Sequence, residues 1–373
     1  MSLFTVLDIA SIILTTIHFG TPLAYYLYIK RYLDKPWSID VDDNYEPRVT
    51  IIVPTYNEAR LIEKKLDNLY QQNYSRNKLE IIVVDSASSD GTPELIKKWA
   101  EKHPDIDLNL VEEPVRRGMV PALNYVLKNF KIDSEITIFT DVDAFWEPDT
   151  LKRIARYFAD PKVGAVTASI VPENTSGDFL ESSYRSYYNV LRVAESKIHS
   201  TAVHNGALVA FRTELLYKIG GLPEYTGNND STPASIVAFM GYRAIQVDDV
   251  VVKEPVRRDQ LRRKIRRAQH LVLHFLKTKR YVKKLGLYNP DEKFENIWRV
   301  EWWLHIANPW LLLIALTLFI VSALYGSIIA LVLLGTGLAL LTLKHYKTWV
   351  LQQLYLITGT VRNLWTKEIA WSK

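Results

Sequence analysis

Apolar and charged residues are segregated along this chain rather than mixed. From Leu3 to Ile29 the sequence is apolar apart from Asp8 and a few hydroxyl and imidazole groups, and it closes on Lys30-Arg31. A helix of that length can cross a hydrocarbon core about 30 Å thick. A secretory signal peptide carries its positive charge ahead of a shorter apolar core, so an uncleaved anchor is expected. A second block, Pro309 to Leu343, holds no charged residue over about 35 positions where one crossing needs about 20. Two short spans turning at Tyr325-Gly326-Ser327 fit it, with Trp302, Trp303 and Trp310 forming an interfacial aromatic belt; a buried pair of core helices is the competing reading.

Between these blocks, β-branched runs alternate with helical periodicity. Val49–Val53 reads as a strand stopped by Pro54, followed by a helix from Leu61 to Gln72. Leu79–Val84 is a second strand, closed by Asp85-Ser86-Ala87-Ser88-Ser89-Asp90-Gly91 and a helix from Pro93. A third strand over Leu108–Val111, a helix over Ala122–Phe130 and a fourth strand over Glu135–Thr140 follow. Such alternation predicts parallel strands with right-handed crossovers and a ligand crevice outside their carboxyl ends. Three polar clusters fall on those ends: Thr55-Tyr56-Asn57-Glu58, Asp85-Ser86 and Asp141-Val142-Asp143.

Composition changes this picture in two ways. The chain of 373 residues has no cysteine, which excludes disulfides, thiolate metal sites and cysteine nucleophiles. Its positive charge is concentrated in residues 257–284, which hold Arg257, Arg258, Arg262, Arg263, Lys264, Arg266, Arg267, Lys277, Lys279, Arg280, Lys283 and Lys284 against Asp259 alone. Leu261, Ile265, Leu271, Phe275 and Leu276 give that segment an apolar side at helical spacing, as a helix lying on anionic membrane lipid requires. A solvated basic face is the bland alternative. Nucleic acid is set aside as a partner because the chain is anchored by hydrophobic spans. Positive charge after the first and last spans, and none in the hairpin, predicts an integral protein of the cell membrane with its large domain on the cytoplasmic side.

The motifs carry a resemblance. Val53-Pro54-Thr55-Tyr56-Asn57-Glu58 resembles the V-P-x-Y-N-E opening of glycosyltransferase family 2, and Val84 to Thr92 is similar to its V-D-D-x-S-x-D-G-T loop. Arg117-Gly118 with Ala122-Leu123-Asn124, Asp141-x-Asp143 with Pro148 and Leu151, and Asn205-Gly206-Ala207 to Gly220-Gly221-Leu222-Pro223-Glu224 resemble further family motifs in the family's order. With flanking spans, the whole resembles the cellulose-synthase-like membrane transferases, and by analogy an archaeal GDP-mannose-dependent mannosyltransferase. The resemblance implies an α/β, GT-A (Rossmann-like) catalytic domain with transmembrane helices at both ends. Residues 1–32 would be the first span, 33–256 the catalytic domain, 257–300 basic interfacial helices, 301–345 the transmembrane hairpin and 346–373 a cytoplasmic or interfacial tail.

Displacing a nucleoside diphosphate builds negative charge on the leaving oxygen, which a divalent ion held by oxygen ligands stabilises. Asp141 and Asp143 supply such ligands, suited to Mn²⁺ or Mg²⁺. The resemblance assigns the metal chiefly to Asp143 and sets Pro54, Thr55, Tyr56, Glu58, Asp85, Ser86 and Arg117 against the nucleotide-sugar; Ser86 stands where the family has a second Asp. It also implies that Asp230, counted back from Gly241-Tyr242-Arg243, is the base that deprotonates the acceptor, with Asn229 replacing the family's Glu; a helix N-cap is its alternative role. Glu173, Asp178 and Glu224 are the reserve candidates. The family's Q-x-x-R-W signature is broken: one frame offers Gln260 and Arg263, the other Arg267, and neither has the Trp. Either Arg suits a bidentate grip on diphosphate. The missing Trp argues for transfer of a single sugar to a lipid-linked or membrane-proximal glycan; a base opposite the leaving group implies inversion, and analogy with similar proteins favours GDP-mannose over a UDP-sugar. A processive polysaccharide synthase and an inactive nucleotide-sugar-binding scaffold are the alternatives.

Overall fold

A computed structural model describes residues 3–172, 179–226, 228–254 and 260–366. In chain order the strands are β1 (Val49–Thr55), β2 (Leu79–Asp85), β3 (Asp107–Glu112), β4 (Ile136–Phe139), β5 (Val163–Pro172), β6 (Val209–Arg212) and β7 (Arg243–Glu254). The helices are α1 (Leu3–Ile29), α2 (Ile62–Tyr70), α3 (Thr92–Lys102), α4 (Met119–Asn129), α5 (Thr150–Ala155), α6 (Phe179–Ile198), α7 (Thr213–Lys218), α8 (Ser231–Phe239), α9 (Gln260–Lys284), α10 (Glu292–Trp302), α11 (Asn308–Leu324), α12 (Ile328–Leu340) and α13 (Lys344–Arg362).

The strands form one sheet in the order β3-β2-β1-β4-β6-β5-β7. β1 to β4 are mutually parallel where they pair, as the alternation predicts, whereas β6 runs antiparallel to β4 and to β5. Successive residues of β1 point to opposite faces, as the two-residue period of a strand requires. Ile51 and Val53 pack with Ile62 and Leu66 of α2, Ile96 and Trp99 of α3 and Leu151 of α5. Ile52 packs on the other side with Leu123 of α4, Phe239 of α8, Phe275 of α9 and Trp298 of α10. The result is a three-layer α/β/α domain.

β1 does not stop at Pro54. It continues to Thr55, in register with Asp85, because its pairing with β4 ends at Ile52 and Pro54 has no neighbour there to which an N–H would donate. The carboxyl ends of β1, β2 and β4 thus lie side by side.

Among the described residues, two helical segments are long and apolar enough to cross a membrane, Phe4–Tyr32 and Glu292–Leu324; the second joins α10 and α11 through a π-helical stretch, Trp303–Ala307. α11 and α12 turn at Tyr325–Ser327, as expected, with Gly326 at φ 90°. α12 is only 13 residues and meets α13 at 104°, so it counts as a third span only as half of a bent pair. Asp8, an apparent flaw in the first apolar block, accepts hydrogen bonds from Ser322 and Ser327 at 2.6 Å each and ties α1 to the turn.

α9 corrects one expectation. Its apolar side does not face lipid as a unit: Phe275 is 2% exposed in the domain core, Leu271 packs beside it, and Val272 lies against Leu356 of α13. Leu261 and Leu276 are the exposed ones, at 58% and 49%. Helical spacing reveals that a face is apolar, not what covers it. Arg257, Arg258 and Asp259 lie outside the described residues.

Candidate active site

Two loops at the ends of β1 and β2 are laced together. The Thr55 hydroxyl donates to Asp85 Oδ1 at 3.0 Å, and Asp85 also accepts from the Ser88 amide at 2.9 Å and the Ser88 hydroxyl at 2.5 Å. Asn57, at φ 52°, receives the Ser89 amide on its Oδ1 and donates its own amide to Ser88 Oγ. The amides of Glu58 and Ala59 donate to Thr92 Oγ1 and Asp90 Oδ2. Burial opposes the charge on Asp90, but hydrogen bonds from the Thr92 hydroxyl and from the Ala59 and Thr92 amides outweigh it and hold the carboxyl below its ordinary range. Asn57 and Ala87 (φ 57°) are the non-glycine residues with positive φ among those described, and both sit in these loops. Such conformations persist only where surrounding bonds impose them.

The third cluster rests on a residue outside every motif. Lys65 of α2, wholly buried, reaches under the end of β4 and donates to Thr140 Oγ1 at 3.0 Å and to the Ala144 carbonyl at 2.6 Å. Desolvation pushes its pKa down to about 7, resisted by the charges of Asp141 and Asp143. The ammonium thus braces the turn that carries both carboxylates.

These clusters surround an open cavity of about 600 Å³, lined by Pro54, Thr55, Tyr56, Glu58, Ser86, Arg116, Gly118, Met119, Asp141, Val142 and Asp143. Gly118 and Met119 begin α4, whose amino end turns its unpaired amides and partial positive charge toward this space. Asp85 lies behind the wall as an organiser. Arg117 does not line the cavity; it bonds Glu113 Oε1 at 2.6 Å, while Arg116 stacks its guanidinium 3.7 Å from the Tyr56 ring centre. Neighbouring side chains on a loop diverge, so a one-residue offset selects a different environment. Glu113, also unmarked in the sequence, accepts from Ser86 Oγ at 2.8 Å. A carboxylate therefore sits beside the position where Ser86 replaces an Asp.

A second cavity, about 1180 Å³ and open to solvent, adjoins the first, sharing Met119 and Asp141 with it. Asp230, Asn229, Asn228, Asn205, Gly206, His204, Arg192, Arg266, Arg267 and His270 are on its wall. Asp230 is the N-cap of α8, accepting from the Ser231 amide. Burial raises its pKa, against the pull of that amide, Arg192 and Arg267. Gly206 faces these side chains closely: a Cβ there would lie 3.3 Å from Asn229 Oδ1 and 3.5 Å from Asp230 Oδ2. Arg267 and its neighbour Arg266 line this second cavity, and Arg263 lines neither. Glu224 is engaged as an acceptor by Asn124, whose side chain also clamps Leu222 through both backbone groups. Glu173 and Asp178 fall outside the described residues.

Among the described residues no group of three or more His, Asp or Glu converges as a self-sufficient metal site. Two carboxylates facing a shared cavity suit a hard cation that takes its remaining ligands from phosphate and water. Asp141 and Asp143 fit that pattern.

Residues 50–220 match the model described as glycosyl transferase family 2, and residues 136–343 match that of glycosyl transferase family group 2. A solved structure, a mannosyltransferase from Pyrobaculum calidifontis in complex with GDP-Man and Mn²⁺, is 48% identical, covers 97% of this chain and 100% of that one, and superposes with a TM-score of 0.87. A poly-β-1,6-N-acetyl-D-glucosamine synthase of Staphylococcus aureus is 29% identical over 52% of this chain. The glycosyltransferase AglE of Haloferax volcanii is 25% identical over 57% of this chain and 68% of its own length. The chain spans 45% of the staphylococcal relative's length.

Proposed function

Since this chain belongs to glycosyltransferase family 2, we propose that it transfers one mannosyl group from GDP-mannose to a hydroxyl of a lipid-linked or membrane-proximal glycan, with inversion. One observation carries the reading: the cavity lined by Asp141 and Asp143 and the cavity that holds Asp230 meet at Asp141. A donor in the first and an acceptor in the second would face each other across that residue. Mannose and GDP are chosen because the 48%-identical structure holds GDP-Man and Mn²⁺.

In this reading Pro54, Thr55, Tyr56, Glu58 and Arg116 hold the nucleotide, Ser86, itself held by the buried Glu113, adds a polar contact, and the amino end of α4 faces the diphosphate. A divalent ion held by Asp141 and Asp143 supplies charge stabilisation for the departing phosphate oxygen. Asp230 takes the acceptor hydroxyl's proton as that oxygen bonds the anomeric carbon. The bond from the anomeric carbon to the diphosphate breaks in the same step, and GDP leaves. Arg266 or Arg267 is the cation at the boundary between donor and acceptor.

A screen of GDP- and UDP-sugars for Mn²⁺-dependent binding and turnover tests this. Saturable GDP-mannose turnover that stops in chelator and returns with Mn²⁺ is expected; a UDP-sugar turned over in its place would refute the donor assignment. Product length separates single transfer from processive synthesis, which the missing Trp after Gln260 argues against.

A further inference from the structure

The seam between the catalytic domain and the apolar helices holds two carboxyl groups that the transfer step does not use. Glu195, in the last turn of α6, is 1% exposed, and Glu301, in the last turn of α10 and within the second segment long enough to cross a membrane, is 2% exposed. Glu195 Oε1 accepts from the Tyr25 hydroxyl of α1 at 2.7 Å, and its Oε2 accepts from the Thr201 hydroxyl at 2.7 Å. Glu301 Oε2 lies 3.2 Å from His305 Nδ1, which also bonds the Glu301 carbonyl at 2.8 Å. Glu301 Oε1 is buried and accepts from no N–H or hydroxyl among the described residues. The two acid side chains instead hydrogen bond to each other.

An ionised carboxylate only accepts, so a hydrogen bond between two carboxyl groups requires a proton on one of them. Two ionised carboxylates side by side and away from water would repel each other strongly. The titratable and charged groups that face the pair are Tyr25 of α1, Tyr187 and Arg192 of α6 and His305 of the π-helical stretch. Arg192 is the permanent cation among them, and it balances one carboxylate, not two. Burial raises the Glu195 pKa, against hydrogen bonds from Glu301, Thr201 and Tyr25 and the charge of Arg192.

The pair also sits where a shift would be felt. α6 supplies Tyr188, Asn189 and Arg192 to the second cavity, so whatever seats α6 on α1 and α10 sets that wall. The rings of Tyr26 and Tyr187 stack 5.0 Å apart across the same seam. We infer that Glu195 and Glu301 share a single proton at neutral pH and form a pH-sensitive latch, closed while the proton is held, that seats α6 on the membrane helices. A Lys facing Glu195 would make the seam permanent; a second acid makes it titratable. The folded pair binds its proton more tightly than the carboxyl groups of the unfolded chain do. The stability it gives is therefore complete at low pH and falls as pH climbs from the ordinary carboxylate range through the folded value. With the proton still held at neutral pH, that fall continues on the alkaline side.

The test compares the full chain in detergent with Glu301→Gln and Glu195→Gln, each of which supplies an N–H donor in place of the shared proton and has no such proton to lose. Infrared spectra at neutral pH should show a protonated-carboxyl band, shifted in D₂O, that either substitution removes. Wild-type melting temperature should fall by roughly 2 °C per pH unit more than that of either variant, over the alkaline range in which wild type keeps the band. The wild-type titration stands by itself if a variant fails to fold: the band must be present at neutral pH and fade as pH rises. A wild-type spectrum without the band at neutral pH overturns the inference. So does a folded variant that keeps the band or follows the wild-type dependence of melting temperature on pH.

Discussion

Asp230 combines two roles that sequence reasoning sets against each other, since it caps α8 and also lines the cavity beside Asp141. Asn caps a helix about as well as Asp. Asp230→Asn should therefore keep GDP-mannose affinity while losing roughly 10²–10⁴-fold in transfer rate, the usual contribution of a general base. A raised carboxyl pKa means that the native state binds its proton more tightly than the unfolded chain. Stability therefore falls as pH climbs from the unfolded value through the folded one, and a neutral Asn removes that loss. The variant's melting temperature at neutral pH should not drop. The same shift should put the acid limb of wild-type transfer above the ordinary carboxylate range. Wild-type turnover by Asp230→Asn would end the base assignment. Lys65 allows a second prediction. Lys65→Met removes the hydrogen bonds to Thr140 Oγ1 and the Ala144 carbonyl and takes the Lys65 amine away from beside Asp141 and Asp143. The Thr140 hydroxyl keeps its bond to the Ala207 carbonyl, so a loss of about 1–3 kcal/mol for the Ala144 carbonyl, together with weaker Mn²⁺-dependent donor binding, is expected from thermal melts and titration. Unchanged values in both would reduce Lys65 to filler.

Between elements, polar contacts join the membrane segments to one another and to the domain. His18 Nδ1 lies 2.9 Å from the Asn308 carbonyl, and Tyr25 of α1 donates to Glu195 of α6 at 2.7 Å. The contact of α13 with α9 is closer still. A Cβ on Gly359 would stand 2.8 Å from the Gln269 nitrogen and 3.0 Å from the Ala268 carbonyl carbon, both backbone atoms that cannot swing aside. Gln269 and Asn363 exchange hydrogen bonds beside this crossing. Gly359→Ala should force the helices apart at a cost of about 1–3 kcal/mol, the range for overpacking. Gly20→Ala is the control, since nothing lies within 4 Å of its Cβ position. Equal melting temperatures for the two variants would mean that α13 does not seat on α9 as described.

At the scale of the whole molecule, the turn and the large domain lie at opposite ends of the apolar helices. Asp8, Ser322 and Ser327 gather at one end of α1 and α11, and Tyr25, Glu195 and the catalytic domain at the other. The native chain has no cysteine, so single cysteines report topology without background. In intact cells, Tyr325→Cys should react with an impermeant maleimide, whereas Lys131→Cys and Leu364→Cys should react only after the membrane is opened. Labelling of Lys131→Cys from outside would reverse the orientation. The order of strands and helices, the polar clusters at strand ends and the turn at Gly326 were legible in the sequence because each depends on residues a few positions apart: β-branched runs, helical periods, turn chemistry. Contacts across long separations were not. Lys65 beneath Asp141, Glu113 beside Ser86, Arg116 in the cavity of Asp141 and Asp143 in place of Arg117, and α13 over the apolar side of α9 are products of sheet register and helix packing.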